Sequence, residues 1–92
     1  MVQADEYSLT LSRQSVLRGP AVIQLVNRGE DPHDLRLRRI GGSRAVSLAE
    51  TRSGRLTQRD VRLLSGRYRL WCSLPGHAAR GMRAQLRVRR AR

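Results

Sequence analysis

The sequence predicts an all-β protein, an antiparallel β-sandwich or barrel formed as one domain by residues 1–92. Apolar and polar residues alternate with a period of two in several short segments, whereas no segment shows a sustained helical period. Glycine, proline, asparagine and serine separate these segments, as turn residues separate short strands. A chain of 92 residues is long enough for one small domain only.

The N-terminal half contains three predicted strands. Residues 7–11 alternate between apolar and hydroxyl side chains and predict a first, half-buried strand. Residues 21–26 are more uniformly apolar and predict a second strand. The turn-rich residues 27–32 predict a loop, and residues 35–38 then alternate leucine with arginine. This last pattern predicts a strand whose arginines face solvent.

The C-terminal half contains three further predicted strands after a weakly patterned region. Residues 41–55 give little periodicity, and a short helix around residues 46–51 is the expectation there. Residues 56–64 predict a strand, which Ser-Gly connects tightly to the next one. Within residues 67–72 and 83–89, apolar side chains lie on one predicted face and mostly arginines on the other.

The charge of the chain comes from arginine alone. Nineteen arginines and no lysine oppose seven acidic residues, for a net charge of +12, and the strand pattern places most of them on a solvated outer face. Such a surface favours an anionic partner: an acidic redox protein, an anionic membrane surface or a nucleic acid. A nucleic-acid partner is disfavoured because stacking on bases needs aromatic side chains, and the chain has only Tyr7, Tyr68 and Trp71.

The sequence gives limited information on the cellular compartment. A single cysteine excludes an internal disulfide. No apolar run approaches the roughly 20 residues that span a bilayer. Because Asp5 and Glu6 stand where a signal peptide needs apolar residues, we expect no signal peptide in this chain. A cytosolic protein and an exported protein without its leader both stay open.

Four residues have the types and spacing of a metal site. Cys72, His77 and Met82 follow one another at intervals of five in a loop between two predicted strands, and His33 lies in a loop 39 residues before the cysteine. Two histidines, one cysteine and a weak axial methionine are the ligands of blue-copper electron-transfer centres. The soft sulfur atoms suit Cu(I), and the imidazoles suit both oxidation states.

Each of these residues has an ordinary alternative explanation when taken alone. A single cysteine is usually a small buried apolar residue, a single methionine usually fills a core, and a single loop histidine is usually solvated. The chain contains only two histidines, one cysteine and two methionines, and four of these five residues form the pattern. The sequence therefore predicts one copper ion bound by His33, Cys72, His77 and Met82.

The same motifs resemble those of the cupredoxin family over most of the chain. Asn27–Leu35 is similar to the first ligand loop of the family, and Ser65–Tyr68 followed by Trp71–Cys72 resembles the segment that leads into its cysteine. Pro75–His77 and Gly81–Met82 resemble the final ligand loop. The resemblance implies a single cupredoxin-like domain, a Greek-key β-sandwich with copper near one end.

The resemblance also implies roles for the residues at the site. His33, Cys72 and His77 would lie in a plane about the copper, with Met82 axial. The edge of His77 would be the electron port, within an apolar rim formed by Leu74, Pro75, Ala78 and Ala79. Trp71, beside the cysteine, would offer a second route to the sulfur or only cover the outer face of the sheet.

Asp34 and Ser73 occupy the places where the family commonly ties an asparagine to a serine or threonine. An ionised carboxylate accepts hydrogen bonds and cannot donate them. Its negative charge near the metal should favour Cu(II). This departure predicts a reduction potential that is lower than it would be with asparagine at position 34.

These observations predict a type 1 copper protein that carries single electrons between redox partners. A copper-storage or copper-delivery module with the same ligands is the main alternative. We expect no enzyme, because the sequence supplies no acid–base pair beside the site. The expected partner is a redox protein with an acidic docking face, an anionic membrane surface stays an alternative, and the chain itself is expected to be a monomer. The resemblance implies an extracytoplasmic location, in the periplasm or at the cell surface.

Overall fold

Nine strands in two sheets make up the regular structure of residues 1–90, which are the residues that the computed structural model describes. The strands are β1 (Val2–Asp5), β2 (Ser8–Leu11), β3 (Ser15–Leu17), β4 (Gly19–Asn27), β5 (His33–Arg39), β6 (Ala45–Thr51), β7 (Leu56–Leu63), β8 (Gly66–Trp71) and β9 (Arg83–Arg89). The predicted all-β sandwich is confirmed. None of the described residues form a helix long and apolar enough to cross a membrane.

The two sheets combine strands that are distant in sequence. One sheet has the order β2-β1-β4-β7 and the other has the order β3-β9-β8-β5-β6. Most neighbours are antiparallel, as predicted, but β1 pairs with β4 and β3 pairs with β9 in parallel. The parallel pairs were not predicted, because they join strands that no short hairpin connects.

In the five-stranded sheet, the predicted alternation of leucine and arginine determines which face of each strand points toward the core. In β5, Leu35 and Leu37 are buried, whereas Arg36 and Arg38 are exposed. Strands β8 and β9 repeat this pattern, and their inward leucines join the same core. Since successive side chains of a strand point to opposite faces, the exposed arginines of these strands lie on the outer face of the sandwich. Arg39, at the end of β5, is half-buried and donates through Nε to the carbonyl of Ser65.

The expected helix at residues 46–51 is wrong. This segment lies in β6, which pairs antiparallel with β5. Leu48 is buried and Val46 is half-buried, while Ser47 and Ala49 between and beyond them are exposed, so the segment has a strand period over a short stretch. Pairing with β5 satisfies its backbone groups, which local propensity could not reveal.

Two short strands at the N-terminus, β1 and β3, were also not predicted. Val2 and Ala4 of β1 are buried in the core, but two apolar residues are too few to show a period.

The Ser65–Gly66 connection is as short as predicted. It leads from the four-stranded sheet to the five-stranded sheet and does not close a hairpin within one sheet.

Candidate metal centre

Three predicted ligands meet at one end of the sandwich. His33 is the first residue of β5, Cys72 directly follows β8, and His77 lies in the loop between β8 and β9. Their donor atoms all lie within 4.8 Å of one another. The Sγ atom of Cys72 is 3.9 Å from Nδ1 of His33 and 3.5 Å from Nδ1 of His77. The thiol and the two imidazole nitrogens therefore form the corners of a triangle, and both nitrogens are of the same kind.

The depth of the three donors differs. His33 and Cys72 are completely buried, and His77 is half-buried. Burial raises the pKa of the Cys72 thiol above its ordinary value, although hydrogen bonding from the backbone of Leu74 and Asp34 acts in the opposite direction. The metal-free thiol thus keeps its proton at neutral pH, and a bound cation would displace it.

Met82 is held next to the cysteine by backbone hydrogen bonds. Its N–H donates to the carbonyl of His77 over 3.1 Å, and its carbonyl accepts the N–H of Cys72 over 3.1 Å. These bonds close the loop between β8 and β9 on itself, and the side chain of Met82 is completely buried. The thioether as a ligand stays a prediction.

Asn27 fixes the loop that leads to His33. Its side-chain oxygen accepts the N–H of Gly29 over 2.8 Å. Its amide nitrogen donates to the carbonyl of Asp31 over 2.8 Å and to that of Thr51 over 2.9 Å. Because Asn27 is completely buried, these bonds are shielded from water and define the approach to the first ligand.

Asp34 and Ser73 are joined as the resemblance implied. One carboxylate oxygen of Asp34 accepts the backbone N–H of Ser73 over 2.6 Å, and the other accepts its hydroxyl. The contact ties the residue after His33 to the residue after Cys72. It therefore fixes the two segments that present the buried ligands relative to each other.

The turn between β1 and β2 also borders the site, which sequence reasoning missed. The ring of Tyr7 packs edge-on against His77, with ring centroids 5.1 Å apart. Nη1 of Arg80 donates to the Tyr7 hydroxyl over 2.9 Å, and its guanidinium lies 4.9 Å from the ring centroid. A carboxylate oxygen of Glu6 lies 3.4 Å from Nε2 of His33. No sequence signal connects this turn to the ligands.

The four residues of the predicted apolar rim around His77 differ in exposure. Leu74 and Ala78 are half-buried, whereas Pro75 and Ala79 are exposed. Trp71 is half-buried on the outer face of β8. In the register of the sheet it lies opposite Arg36 on one side and Arg83 on the other.

The donor set fits one copper ion per chain. A buried thiol between two imidazole nitrogens supplies the soft sulfur and the nitrogen ligands of a mononuclear copper site. Nδ1 of each imidazole faces the thiol, so metal binding through Nδ1 would leave the proton of each ring on Nε2. The thioether of Met82 belongs to the loop that closes over this group.

Comparisons with known proteins agree with this geometry. No protein-family model matches the sequence, and no curated protein matches it either. Among solved structures, auracyanin B aligns with a TM-score of 0.81 and 19% identity, over 96% of this chain and 86% of that chain.

Two further solved structures are similar. A dithionite-reduced auracyanin from the photosynthetic bacterium Roseiflexus castenholzii aligns with a TM-score of 0.77 and 12% identity, over 96% of this chain and 94% of that one. A variant of amicyanin in its Cu(I) form aligns with a TM-score of 0.67 and 18% identity, over 96% and 81% of the two chains. Auracyanin and amicyanin are both cupredoxins. The chain therefore has the cupredoxin fold.

Proposed function

We propose that the protein is a type 1 copper protein that carries single electrons, with His33, Cys72, His77 and Met82 as the ligands. The observation that carries this proposal is the position of one buried thiol within 3.9 Å of two imidazole nitrogens, one from the start of β5 and one from the loop between β8 and β9. When bound, copper would supply a centre that gains and loses one electron. The cupredoxin fold supports this role.

The surrounding residues would keep the ligands in place during electron transfer. Hydrogen bonds from Asn27, and between Asp34 and Ser73, fix both segments that present the buried ligands. A site that changes little between oxidation states has a small reorganisation energy. His77 is the outermost of the three converging donors, so its exposed edge is the proposed port for electrons.

The outer face of the five-stranded sheet is the proposed docking surface for an acidic redox partner. Arg38 lies directly opposite Arg69 on the neighbouring strand, and Arg67 lies opposite Arg87. These arginines give the face a positive potential and repel one another. An acidic protein docked there would neutralise the potential and relieve the repulsion. Together with Trp71, arginines line a groove beside β8, the strand that directly precedes Cys72.

The proposal includes three further expectations from the sequence. The protein acts as a carrier and not as an enzyme, it works as a monomer, and it works outside the cytoplasm. The similarity in fold to auracyanin and amicyanin supports the carrier role and the location in general terms, and the monomer is an expectation from the sequence alone. Sedimentation of the copper-loaded protein would test the monomer, and fractionation of the source cells would test the location.

Copper reconstitution tests the central proposal. We expect the loaded protein to show an intense sulfur-to-copper absorption band and narrow copper hyperfine splitting in electron paramagnetic resonance. The matched control is Cys72→Ser, which keeps the volume of the side chain nearly constant and should lose the band. Binding of copper by the wild-type protein without that band, or with equal spectra for both proteins, would contradict the proposal.

Copper delivery is the second candidate function. It is favoured by the position of His77 and Met82 on one loop outside the strands, since opening of this loop would release two ligands together. The two functions differ in rate. A carrier should exchange electrons between its oxidised and reduced forms much faster than it loses Cu(I) to a chelator, whereas a delivery module should show the reverse order.

A further inference from the structure

Glu6 extends from the turn between β1 and β2 to the loop before His33. Its Oε1 atom accepts the backbone N–H of Glu30 and that of Asp31, each over 2.5 Å. Its Oε2 atom lies 3.4 Å from Nε2 of His33. The side chain of Glu6 is 23% exposed, while that of His33 is completely buried.

His33 has two ring nitrogens with different surroundings. Nδ1 faces the thiol of Cys72, and Nε2 points away from it and is completely buried. Within the described residues, Nε2 has no hydrogen-bond partner of normal geometry. A buried N–H without an acceptor is unfavourable by about 1–3 kcal/mol. The carboxylate oxygen at 3.4 Å is close enough to accept this proton after a small shift of either side chain.

The packing around Glu6 keeps the carboxylate at this position. A Cβ atom built on Gly29 would overlap the carboxylate, so glycine leaves the space that Glu6 occupies. The backbone N–H groups of Glu30 and Asp31 both donate to Oε1, which fixes the carboxylate and leaves Oε2 beside His33. An ionised carboxylate is the stronger hydrogen-bond acceptor.

We propose that Glu6 is a positioning residue for the metal site, which holds the proton of His33 on Nε2 and turns Nδ1 toward the thiol of Cys72. Histidine ligands commonly donate their other N–H to a carboxylate or carbonyl, which fixes the tautomer and raises the basicity of the ligand. The proposal rests on the metal-binding part of the proposed function and does not require electron transfer.

A purely structural role for Glu6 is the alternative. In that case the carboxylate would only bind the two N–H groups of the loop before His33, and the histidine contact would have no effect. Glu6→Gln separates the two roles. Glutamine can still accept both backbone N–H groups through Oε1, but its amide group replaces the charged oxygen beside Nε2.

The matched control is Glu30→Gln, which removes one negative charge from the same loop. Glu30 is exposed, and only its backbone N–H contacts Glu6. A second variant, Gly29→Ala, keeps every charge and displaces the carboxylate of Glu6 by steric overlap. Once Glu6→Ala has removed the carboxylate, there is nothing left to displace. The double variant that combines Glu6→Ala with Gly29→Ala should therefore resemble Glu6→Ala alone.

The first readout is the His33 tautomer in the metal-free protein, from nitrogen-15 chemical shifts of the imidazole. We expect the Nε2–H form in the wild type and in Glu30→Gln, and a smaller population of it in Glu6→Gln. A wild-type protein with the proton on Nδ1 would overturn the proposal.

The second readout is Zn(II) affinity, measured by competition with a chromophoric chelator. We expect Glu6→Gln to bind Zn(II) about 10- to 100-fold more weakly than the wild type, the range that loss of such an outer partner gives. Glu30→Gln should change the affinity less than threefold, and Gly29→Ala should weaken it at least threefold. Equal weakening by both glutamine variants, or none in Glu6→Gln and Gly29→Ala, would overturn the proposal.

These measurements distinguish failure of this inference from failure of the proposed function. Tautomer and Zn(II) affinity do not depend on a blue copper spectrum. A wild-type protein that binds Zn(II) with the expected ranking of variants, but gives no sulfur-to-copper band, would contradict the electron carrier and support the role of Glu6.

Discussion

The carboxylate of Asp34 accepts both the backbone N–H and the hydroxyl of Ser73, and so joins the residue after one buried ligand to the residue after the other. β5 and the loop after β8 are thereby tied at the level of the site. The carboxylate also brings a negative charge to this end of the sandwich. Structure and electrostatics at the site thus depend on the same side chain.

Asp34→Asn should raise the reduction potential of the copper protein. Asparagine can accept the N–H of Ser73 and donate to its hydroxyl, so the tie is kept while the charge is lost. Loss of a negative charge near the site makes Cu(II) less favourable relative to Cu(I), so we expect a rise on the order of tens of millivolts. Voltammetry measures this shift.

The control for this variant is Asp60→Asn, an exposed residue of β7 in the other sheet. This variant makes the same change of net charge, but away from the site. Its reduction potential should stay within a few millivolts of the wild-type value, because exposed distant charges are screened. A fall in potential for Asp34→Asn, or equal shifts in both variants, would contradict the prediction.

Met82→Leu should raise the reduction potential with little loss of stability. The two side chains have similar volumes, and such exchanges in a core usually cost about 1.5 kcal/mol or less. Leucine offers no donor atom, and the axial ligand is one of the features that set the potential of such centres. Voltammetry and urea unfolding of the same sample test both parts. An unchanged potential would argue against a thioether ligand.

Asn27→Ala should destabilise the metal-free protein by about 2–4 kcal/mol, because it leaves three backbone groups without their hydrogen-bond partner around a buried position. Urea unfolding measures this loss. The matched control is Gln24→Ala on the same strand, whose side chain bonds only to Gln58 at the surface. This variant should lose less than about 1 kcal/mol. Equal losses in the two variants would be the contrary result.

The approach of Cys72 to His77 was predictable because it depends on rare residues at a short spacing. Cys72 and His77 lie five residues apart in one segment, so their approach needs no knowledge of the sheets, whereas His33 reaches them only through the pairing of β5 with β8. Met82 as a ligand stays a prediction. The strands with alternating leucine and arginine were predictable for a similar reason, since a period of two is visible within six or seven residues. These features are local, and the sequence displays them directly.

The contacts of Glu6 and Tyr7 were not predictable because they arise from long-range strand pairing. The turn that carries them reaches the site only because β1 pairs in parallel with β4, which places Ala4 opposite Asn27. Strand β6 was missed because its period spans only a few residues, and its pairing with β5 decides its structure. Tertiary pairing supplies information in both cases that no local pattern contains.

Zn(II) affinity should rise with pH, and binding should release about one proton from Cys72. Burial raises the pKa of this thiol above its ordinary value of about 9, so the metal-free protein holds the proton between pH 7.5 and about 8.5, and the thiolate that binds the metal must give it up. The logarithm of the binding constant should therefore increase by about one per pH unit in this window and level off above the raised pKa. Calorimetry in buffers of different ionisation enthalpy counts the released protons.

Cys72→Ser provides the control, because a hydroxyl ligand releases no proton in this range. The Zn(II) affinity of this variant should therefore be lower and nearly independent of pH. A flat profile for the wild type would mean that the thiol is already ionised before the metal binds.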